Sequence, residues 1–155
     1  MPETLELTLA RLPDAEPIAL MSRDLIEVGL DWRWTPARVA HCIRCPDTLV
    51  LIARARGRLV GFAIMYFGIK DAHLLLLAVD PAQRRAATGR RLLEWLEKSA
   101  RVAGIATIQL EVRAKNQGAR AFYRALGYRE VRLMPLYYDG REAAVRLIRS
   151  LRVLR

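Results

Sequence analysis

The sequence contains two cysteines, three lysines and no long apolar segment. No uninterrupted apolar run approaches the ~18 residues of a membrane span, and the N-terminal segment lacks the basic start and apolar centre of a secretory signal. We therefore expect a cytoplasmic protein that does not enter membranes. Repeats, low-complexity tracts and linkers are also absent, so 155 residues with 53% hydrophobic content predict a single domain over residues 1–155.

The two cysteines are too few for a metal or disulfide framework. Cys42 and Cys45 follow His41 in a Cys-x-x-Cys pattern, but a structural zinc site needs four ligands and the sequence has no second pair. A thioredoxin-like motif follows a strand, whereas these residues lie in a helical pattern. We expect no bound metal and two reduced, partly buried thiols on a helix.

Positive charge exceeds negative charge by a wide margin. The 26 Lys and Arg residues, against 16 Asp and Glu, give a formal net charge of +10 at pH 7. This balance favours polyanionic partners, which include nucleotide cofactors, ribosomes and nucleic acid. Charge alone does not choose among them, and the preference for Arg over Lys fits the codon bias of a genome as well as a function.

Hydrophobic periodicity predicts an alternation of strands and helices. The connection from a strand at 74–79 through a helix at 89–103 to a strand at 107–112 has the length of a right-handed crossover, which predicts that these strands are parallel. The other predicted strands are 5–9, 48–53, 59–67, 128–136 and 142–151, and the other predicted helices are 15–28, 36–45 and 116–126.

The segment 79–89, Val-Asp-Pro-Ala-Gln-Arg-Arg-Ala-Ala-Thr-Gly, joins the predicted strand to an amphipathic helix through a basic turn. Such a turn leaves backbone N–H groups unpaired at the positive end of the helix dipole, where phosphate oxygens are favoured. Arg84, Arg85, Arg90 and Arg91 add positive charge. The segment therefore predicts a pyrophosphate site, with an ordinary loop bearing solvated arginines as the alternative.

Three further motifs follow this turn in order. After Arg84-Arg85-Ala86-Ala87-Thr88-Gly89 come Leu110-Glu111-Val112-Arg113, then Asn116, then Ala121-Phe122-Tyr123-Arg124-Ala125-Leu126-Gly127-Tyr128. With these motifs, the last half of the chain resembles the GNAT superfamily of N-acetyltransferases, and most of all its bacterial ribosomal-protein alanine N-acetyltransferases. The family's loop reads Arg/Gln-x-x-Gly-x-Gly/Ala, so Ala87 stands where the first glycine is usual.

The resemblance implies a fold, a cofactor and a reaction. The fold is an α/β domain with a mixed, mostly antiparallel sheet flanked by helices, in which a parallel strand pair splays around the cofactor. The cofactor is acetyl-CoA, with no metal, and the reaction is direct acetyl transfer to a primary amine. A protein N-terminal α-amine, with a pKa of ~7.7–8.0, suits this chemistry better than lysine at ~10.4, because more of it is neutral at physiological pH.

The resemblance also implies the roles of individual residues. Glu111 takes the position of the general base, and Tyr123 that of the general acid that protonates the departing CoA thiolate. Asn116 matches a residue that contacts the cofactor, and the end of the strand at 74–79 offers backbone N–H groups to the thioester oxygen and the pantetheine arm. The implied cofactor-binding residues are Leu77, Ala78, Val79, Arg84, Arg85, Ala86, Ala87, Thr88, Gly89, Arg90, Asn116 and Tyr123.

Simpler structural roles fit the same residues. Alternation along 107–112 places Glu111 on a polar face, where pairing with a nearby arginine would explain it. Tyr123 lies beside an apolar helical stripe and fits a core-edge aromatic, while Asn116 fits a helix N-cap. His41 and His73 have no evident catalytic partner, so we predict no role for either.

The acceptor side has the weakest pattern. Trp32 and Trp34 lie between the first two predicted helices, and Tyr137 and Tyr138 begin a segment that resembles a family Tyr-Tyr…Gly-Arg-Glu motif with a shorter loop. These four residues are the predicted substrate-binding residues. The alternative for the tryptophans is to anchor their loop by packing.

The acceptor itself stays open among several amines. A protein N-terminus is one candidate, and a small-molecule amine such as a polyamine, an antibiotic or an amino acid is another. A different class of function is a catalytically silent, basic domain that binds nucleic acid. An exposed terminal strand would also let two copies pair as a homodimer.

Overall fold

The fold is built around one sheet that carries helices on both faces. The computed structural model describes residues 4–152, apart from the side chains of residues 84–86. Within these residues the elements are β1 (Leu5–Leu9), α1 (Ala15–Leu25), α2 (Pro36–Arg44), β2 (Thr48–Ala55), β3 (Arg58–Phe67), β4 (Asp71–Val79), α3 (Thr88–Val102), β5 (Thr107–Arg113), α4 (Gln117–Ala125), β6 (Arg129–Tyr138) and β7 (Glu142–Ser150).

The strands are arranged in the order β1-β2-β3-β4-β5-β7-β6. Every neighbouring pair is antiparallel except β4 and β5, which are parallel and joined by α3. The predicted mixed, mostly antiparallel sheet with one parallel pair is therefore confirmed. The last strand, β7, lies inside the sheet between β5 and β6. It offers no free edge, but the first strand, β1, and β6 lie at the two edges of the sheet, and the pairing of two copies as a homodimer stays a prediction.

Two hydrophobic layers hold the helices against the sheet. On one face, Leu92, Leu93 and Leu96 of α3 are fully buried in a cluster that includes Leu110 of β5 and Leu147 of β7. On the other face, α1 and α2 pack on β2, β3 and the end of β4; the buried residues include Ile18, Val39, Ile52, Phe62 and Leu76. The amphipathic periodicity of each helix thus matches the face that it covers.

A β-bulge in β4 changes which side chains face each layer. Leu76 pairs with Ile64 of β3 and Leu74 pairs with Met65, which leaves Leu75 as the extra residue. Because a bulge interrupts the alternation of side chains, Leu74 belongs to the α3 layer whereas Leu76 belongs to the α1 layer. The bulge also marks the place where β4 and β5 separate, since their pairing ends at Leu74 and Leu110.

The first helix is shorter than its pattern predicts. The sequence places a helix up to Val28, but α1 ends at Leu25 and Val28 is exposed. The cause is Glu27, whose buried carboxylate accepts hydrogen bonds from the Ser22 hydroxyl at 2.8 Å and from the Arg33 N–H at 2.8 Å. These bonds turn the chain into the loop that leads to α2.

Candidate active site

The separation of β4 and β5 opens a cleft in the middle of the sheet. Beyond the bulge, β4 pairs with β3 on one edge and has no partner strand on its β5 edge among the described residues. The Asp80 N–H donates to the Val60 carbonyl of β3, so the alternation of the strand turns the N–H groups of Leu77 and Val79 toward the cleft. The same alternation turns the N–H of Ala78, also a predicted donor, toward β3.

The N-terminus of α3 lies next to this strand end. Pro81–Ala86 form a 3-10 turn, and Ala87 then adopts a left-handed conformation with a φ of 57° before α3 begins at Thr88. The substitution of Ala87 for the usual glycine therefore leaves the left-handed turn in place, at a steric cost of roughly 1–2 kcal/mol. The first N–H groups of α3 have no partner within the helix, as the predicted anion site requires.

Close packing holds this helix N-terminus in position. A Cβ added at Gly89 would lie 3.3 Å from Phe122 Cζ of α4 and 3.5 Å from Val79 Cγ2. The glycine thus brings α3, α4 and the end of β4 together. Arg90 is exposed and its Nε donates to Glu94 Oε1 at 2.6 Å, while the predicted side chains at Arg84, Arg85 and Ala86 lie outside the described side chains.

Glu111 of β5 is a buried carboxylate held on both sides. Its Oε1 lies 2.6 Å from His73 Nε2 of β4, and its Oε2 accepts a hydrogen bond of 2.9 Å from Arg146 Nε of β7. Burial alone would raise the pKa of Glu111, but the hydrogen bonds and charges of His73 and Arg146 outweigh it and leave this pKa below the usual range. Glu111 is therefore ionised at neutral pH.

His73 is a site residue that the sequence analysis missed. The apolar run predicts a strand that starts at Leu74, whereas β4 starts at Asp71 and includes His73. Its neighbour in the register, Gln109, lies two residues before Glu111 on the same face of β5. The expectation that His73 has no partner was wrong, because the parallel register that joins it to Glu111 is invisible in local sequence.

Tyr123 and Asn116 each make a structural contact of α4, and the role that the family resemblance implies for each stays a prediction. Tyr123 is buried on α4, with its ring edge-to-face against Phe122 and Tyr128 at centroid distances of 5.0 and 5.6 Å. Burial and the nearby Tyr138 raise the pKa of Tyr123, so its hydroxyl stays protonated at neutral pH. Asn116 Oδ1 caps α4 by accepting the Ala119 N–H at 3.0 Å, and its cofactor contact stays a prediction.

Tyr137 and Tyr138, at the end of β6, lie beside Glu111. Their rings are edge-to-face with centroids 5.0 Å apart. Burial and the negative charge of Glu111 raise the pKa of Tyr137; burial, Tyr137 and Glu111 raise that of Tyr138. The structure thus brings both predicted acceptor-side tyrosines to the candidate base, and Tyr138 also lies within electrostatic range of Tyr123.

The two tryptophans take different positions in the α1–α2 loop. Trp34 packs partly buried against the α1 layer, with the Arg38 guanidinium 3.8 Å from its ring centroid. Trp32 is exposed, with Arg23 at 5.6 Å from its ring. Among the described residues neither makes a ring contact with Tyr137 or Tyr138. Trp34 therefore fits the loop-anchor alternative, and substrate binding by either tryptophan stays a prediction.

An acceptor clasp, which we define as Asp31, Arg33 and Asp139, joins the α1–α2 loop to the β6–β7 turn. Asp139 accepts hydrogen bonds from the Asp31 N–H at 2.8 Å and from Arg33 Nε and Nη2 at 3.0 and 2.6 Å. Arg113 of β5 adds a 2.9 Å bond from Nη2 to the Ile26 carbonyl. The bonds to Asp139 link residues more than 100 positions apart in the sequence, and no sequence motif indicated them or the Arg113 bond.

The remaining candidate features do not enter this site. Cys42 is buried in the α1 layer and Cys45 ends α2; burial raises the pKa of the Cys42 thiol, which disfavours the nucleophilic thiolate. The described part of the chain holds no cluster of metal-ligating side chains.

A groove of about 660 Å³ lies between α1 and the β2–β3 turn, but neither Glu111 nor Tyr123 lines it. Among residues 4–152, every helix is too short or too polar to cross a membrane.

These features define the class of protein. It is a mixed α/β domain with a cleft between its two parallel strands and a helix N-terminus beside that cleft. A model of the acetyltransferase (GNAT) family matches residues 11–128, and the chain belongs to this family. The [ribosomal protein bS18]-alanine N-acetyltransferase of Escherichia coli strain K12 is 42% identical over 92 residues, which cover 57% of this chain. The chain spans 62% of that relative's length.

Two further comparisons extend over more of the chain. The N-alpha-acetyltransferase RimI of Mycobacterium tuberculosis is 36% identical over 129 residues, which cover 81% of this chain and 78% of the relative. The crystal structure of the ribosomal-protein-S18-alanine N-acetyltransferase from Escherichia coli superposes with a TM-score of 0.84 and 28% identity, covering 98% of this chain and 97% of that one. The fold expected from the sequence motifs is confirmed by this likeness.

Proposed function

We propose that the protein is an acetyl-CoA-dependent N-acetyltransferase that acts on a protein N-terminal α-amine, as a single cytoplasmic domain over residues 1–155. One observation carries the proposal. Where β4 and β5 separate, the ionised carboxylate of Glu111 lies beside the tyrosines of β6, and Tyr138 lies in electrostatic range of the protonated Tyr123. A proton acceptor and a proton donor thus flank the cleft that the family uses for its chemistry.

The cofactor side would hold acetyl-CoA through backbone groups. The free N–H groups of Leu77 and Val79 line the cleft, and the N-terminus of α3 supplies unpaired N–H groups and a positive dipole for a pyrophosphate. Acetyl-CoA supplies an acetyl group activated as a thioester. An N–H aimed at the thioester oxygen would stabilise the negative charge that develops there.

Glu111 would take the proton of the amine, directly or through a water. The amine nitrogen forms a bond to the acetyl carbon while the carbon–sulfur bond breaks, so one proton must leave the nitrogen. A carboxylate with a lowered pKa is a weak base, which matches an α-amine of pKa ~7.7–8.0 better than a lysine at ~10.4. This is the physical reason for preferring a protein N-terminus as acceptor.

Tyr123 would give a proton to the departing sulfur. Its hydroxyl remains protonated at neutral pH because burial raises its pKa. The proton lost from nitrogen and the proton gained by sulfur balance, and no covalent enzyme intermediate is needed. Cys42 lies in the hydrophobic layer of α1 and α2, on the other face of the sheet from Tyr123, and this position agrees with a direct transfer.

Thermal unfolding with and without saturating acetyl-CoA tests the cofactor. A ligand at ~100 times its dissociation constant adds about 2.7 kcal/mol, a rise of a few degrees for this size. ATP at the same ionic strength is the polyphosphate control. A shift specific to acetyl-CoA is expected, whereas no shift together with salt-dependent binding of RNA or DNA would replace the proposal with the nucleic-acid-binding alternative.

Acetylation of matched peptides tests the acceptor. We expect transfer to a peptide with a free α-amine and none to the same peptide with a blocked N-terminus and an internal lysine. Glu111→Gln is expected to lower turnover by roughly 10²-fold or more while the acetyl-CoA-dependent thermal shift remains. Transfer only to polyamines, aminoglycosides or amino acids would reassign the acceptor to small molecules, and unchanged turnover of Glu111→Gln across pH would remove Glu111 as the base.

A further inference from the structure

The bond between His73 and Glu111 requires a proton between its two atoms. His73 Nε2 and Glu111 Oε1 are 2.6 Å apart, and an ionised carboxylate oxygen has no hydrogen to give. The hydrogen bond therefore forms when Nε2 carries the proton and donates it, whether the imidazole is neutral or charged. The other carboxylate oxygen, Oε2, accepts from Arg146 Nε at 2.9 Å.

We infer that His73 is a positioning residue that controls whether Glu111 can accept the proton of the amine, and that acetyl transfer requires the His73 imidazole to be neutral. The inference rests on the proposed function and deepens it. It adds to Glu111 of β5 a second residue, from β4, that controls proton uptake by the carboxylate, and it predicts how the reaction responds to pH.

The charges of the cluster give the reason. With a neutral imidazole, Glu111 and Arg146 cancel, and a proton that arrives from the amine raises the total charge of the three side chains to +1. With a protonated imidazole, the total is already +1, and the same proton would raise it to +2. The Glu111 side chain is only 7% exposed, so the added repulsion is poorly screened by water. Protonation of His73 would therefore disable Glu111 as a base.

The His73 imidazole is in contact with solvent. Its side chain is 30% exposed, so protons from bulk water reach it. The ionisable groups next to the His73–Glu111 pair on the neighbouring strands include Arg146 of β7, Tyr137 of β6 and Tyr66, the register partner of His73 on β3. Within the part of the chain that the structure describes, no hydrogen bond or ion pair from α1 or α2 reaches His73.

The test is the pH dependence of the acetyl-transfer rate in single turnovers, with acetyl-CoA and peptide both saturating. Saturation removes the ionisation of the free amine from the profile. For the natural chain we expect the rate to fall on the acid side of the profile. His73→Gln keeps an N–H donor for Glu111 but takes up no proton, so we expect its acid limb to move down by at least one pH unit.

Controls separate this effect from a general loss of structure. His41→Gln removes an exposed histidine on α2, outside the site, and is expected to keep the acid limb of the natural chain. The ring signals of His73 in an NMR titration give a readout that does not depend on activity, with His41 as the internal reference. We expect the His73 signals to change over the same pH range in which the transfer rate falls.

Two results would overturn the inference. One is an active His73→Gln variant whose acid limb coincides with that of the natural chain. The other is a His73 signal that does not change over the pH range in which the transfer rate falls. A failure of the proposed function looks different: the natural chain would transfer no acetyl group to any peptide and would show no acetyl-CoA-specific thermal shift.

Discussion

The proposed cofactor side and the proposed acceptor side of the cleft are built by different means. On the cofactor side, the end of β4, the left-handed Ala87 and the N-terminus of α3 follow one another within a short segment. Their backbone N–H groups are the proposed ligands of the cofactor. On the acceptor side, side-chain bonds join the α1–α2 loop to a turn more than 100 residues later. A motif search detects the first kind of site because local spacing encodes it, and misses the second.

The difference also predicts how each side fails. Backbone groups are removed only by displacing the chain, so the cofactor side is sensitive to added volume and insensitive to most side-chain polarity. The acceptor side depends on specific carboxylates, so a single uncharged replacement weakens it. The following variants separate the two sides, from the largest expected effect to the smallest.

Gly61→Val is expected to abolish the acetyl-CoA-dependent thermal shift. A Cβ at Gly61 of β3 would lie 3.1 Å from the Ala78 carbonyl and 3.3 Å from both Thr88 Cγ2 and Leu92 Cδ1, so a branched side chain would push α3 away from β3 beside the end of β4. Overpacking of this kind also costs about 1–3 kcal/mol of unfolding free energy.

Gly118→Ala is the matched control for this variant. Its Cβ would meet only Asn116 Oδ1 at 3.8 Å, an ordinary contact, and we expect no loss of either cofactor binding or stability. A Gly61→Val protein that keeps the full acetyl-CoA shift would show that the cofactor site does not depend on the close packing of α3 on β3.

Tyr123→Phe is expected to lower the single-turnover rate by roughly 10²-fold or more, because it removes the proton donor while leaving the ring in the core. Tyr128→Phe is the comparison, since the two rings lie 5.6 Å apart. The Tyr128 hydroxyl donates to the buried Glu97 carboxylate at 2.8 Å, so its loss should lower the free energy of unfolding by about 1.5–3 kcal/mol and spare the transfer rate. Equal effects of both variants on the rate would contradict the assignment of the acid.

Asp139→Asn is expected to raise KM for the peptide several-fold without changing acetyl-CoA affinity, because it removes the charge that holds Arg33 in the acceptor clasp. Asp24→Asn, which loses an exposed pair with its neighbour Arg23, is the control.

The acceptor clasp also has an expected pH dependence. The Asp31 N–H and Arg33 hold the pKa of Asp139 below its usual range. The clasp is therefore intact above pH ~4, and it weakens only as the pH falls through that lowered value. Peptide KM in the natural chain should therefore show no step from this group between pH 6 and 9.

Asn116→Ala gives the smallest expected change, a loss of about 0.5–2 kcal/mol of unfolding free energy through the missing cap of α4. Asn116→Ser retains a capping oxygen and should retain most of that stability. Its acetyl-CoA affinity then measures the predicted cofactor contact of the amide. Unchanged affinity would leave Asn116 with the cap alone.

Several parts of the fold and site were accessible from the sequence. The order of elements, the parallel pair across α3 and the polar face of β5 that carries Glu111 all follow from periodicity and connection length. The early end of α1 was not, because the Glu27 carboxylate stops the helix through bonds to the loop and not through its hydrophobic pattern. The position of β7 inside the sheet was also missed, since chain order does not reveal spatial order.

The sequence by itself determined the family and the order of the strands and helices, and it predicted a cofactor side built from backbone groups, because the information for each lies in short, contiguous segments. The tertiary structure alone decided that His73 and Arg146 meet Glu111, that a bulge at Leu75 opens the cleft, and that Asp139 closes the acceptor clasp. These contacts depend on strand register and on loops that meet across the sheet. A shift of one residue in register would move His73 to the opposite face, so no local pattern can encode its partnership with Glu111.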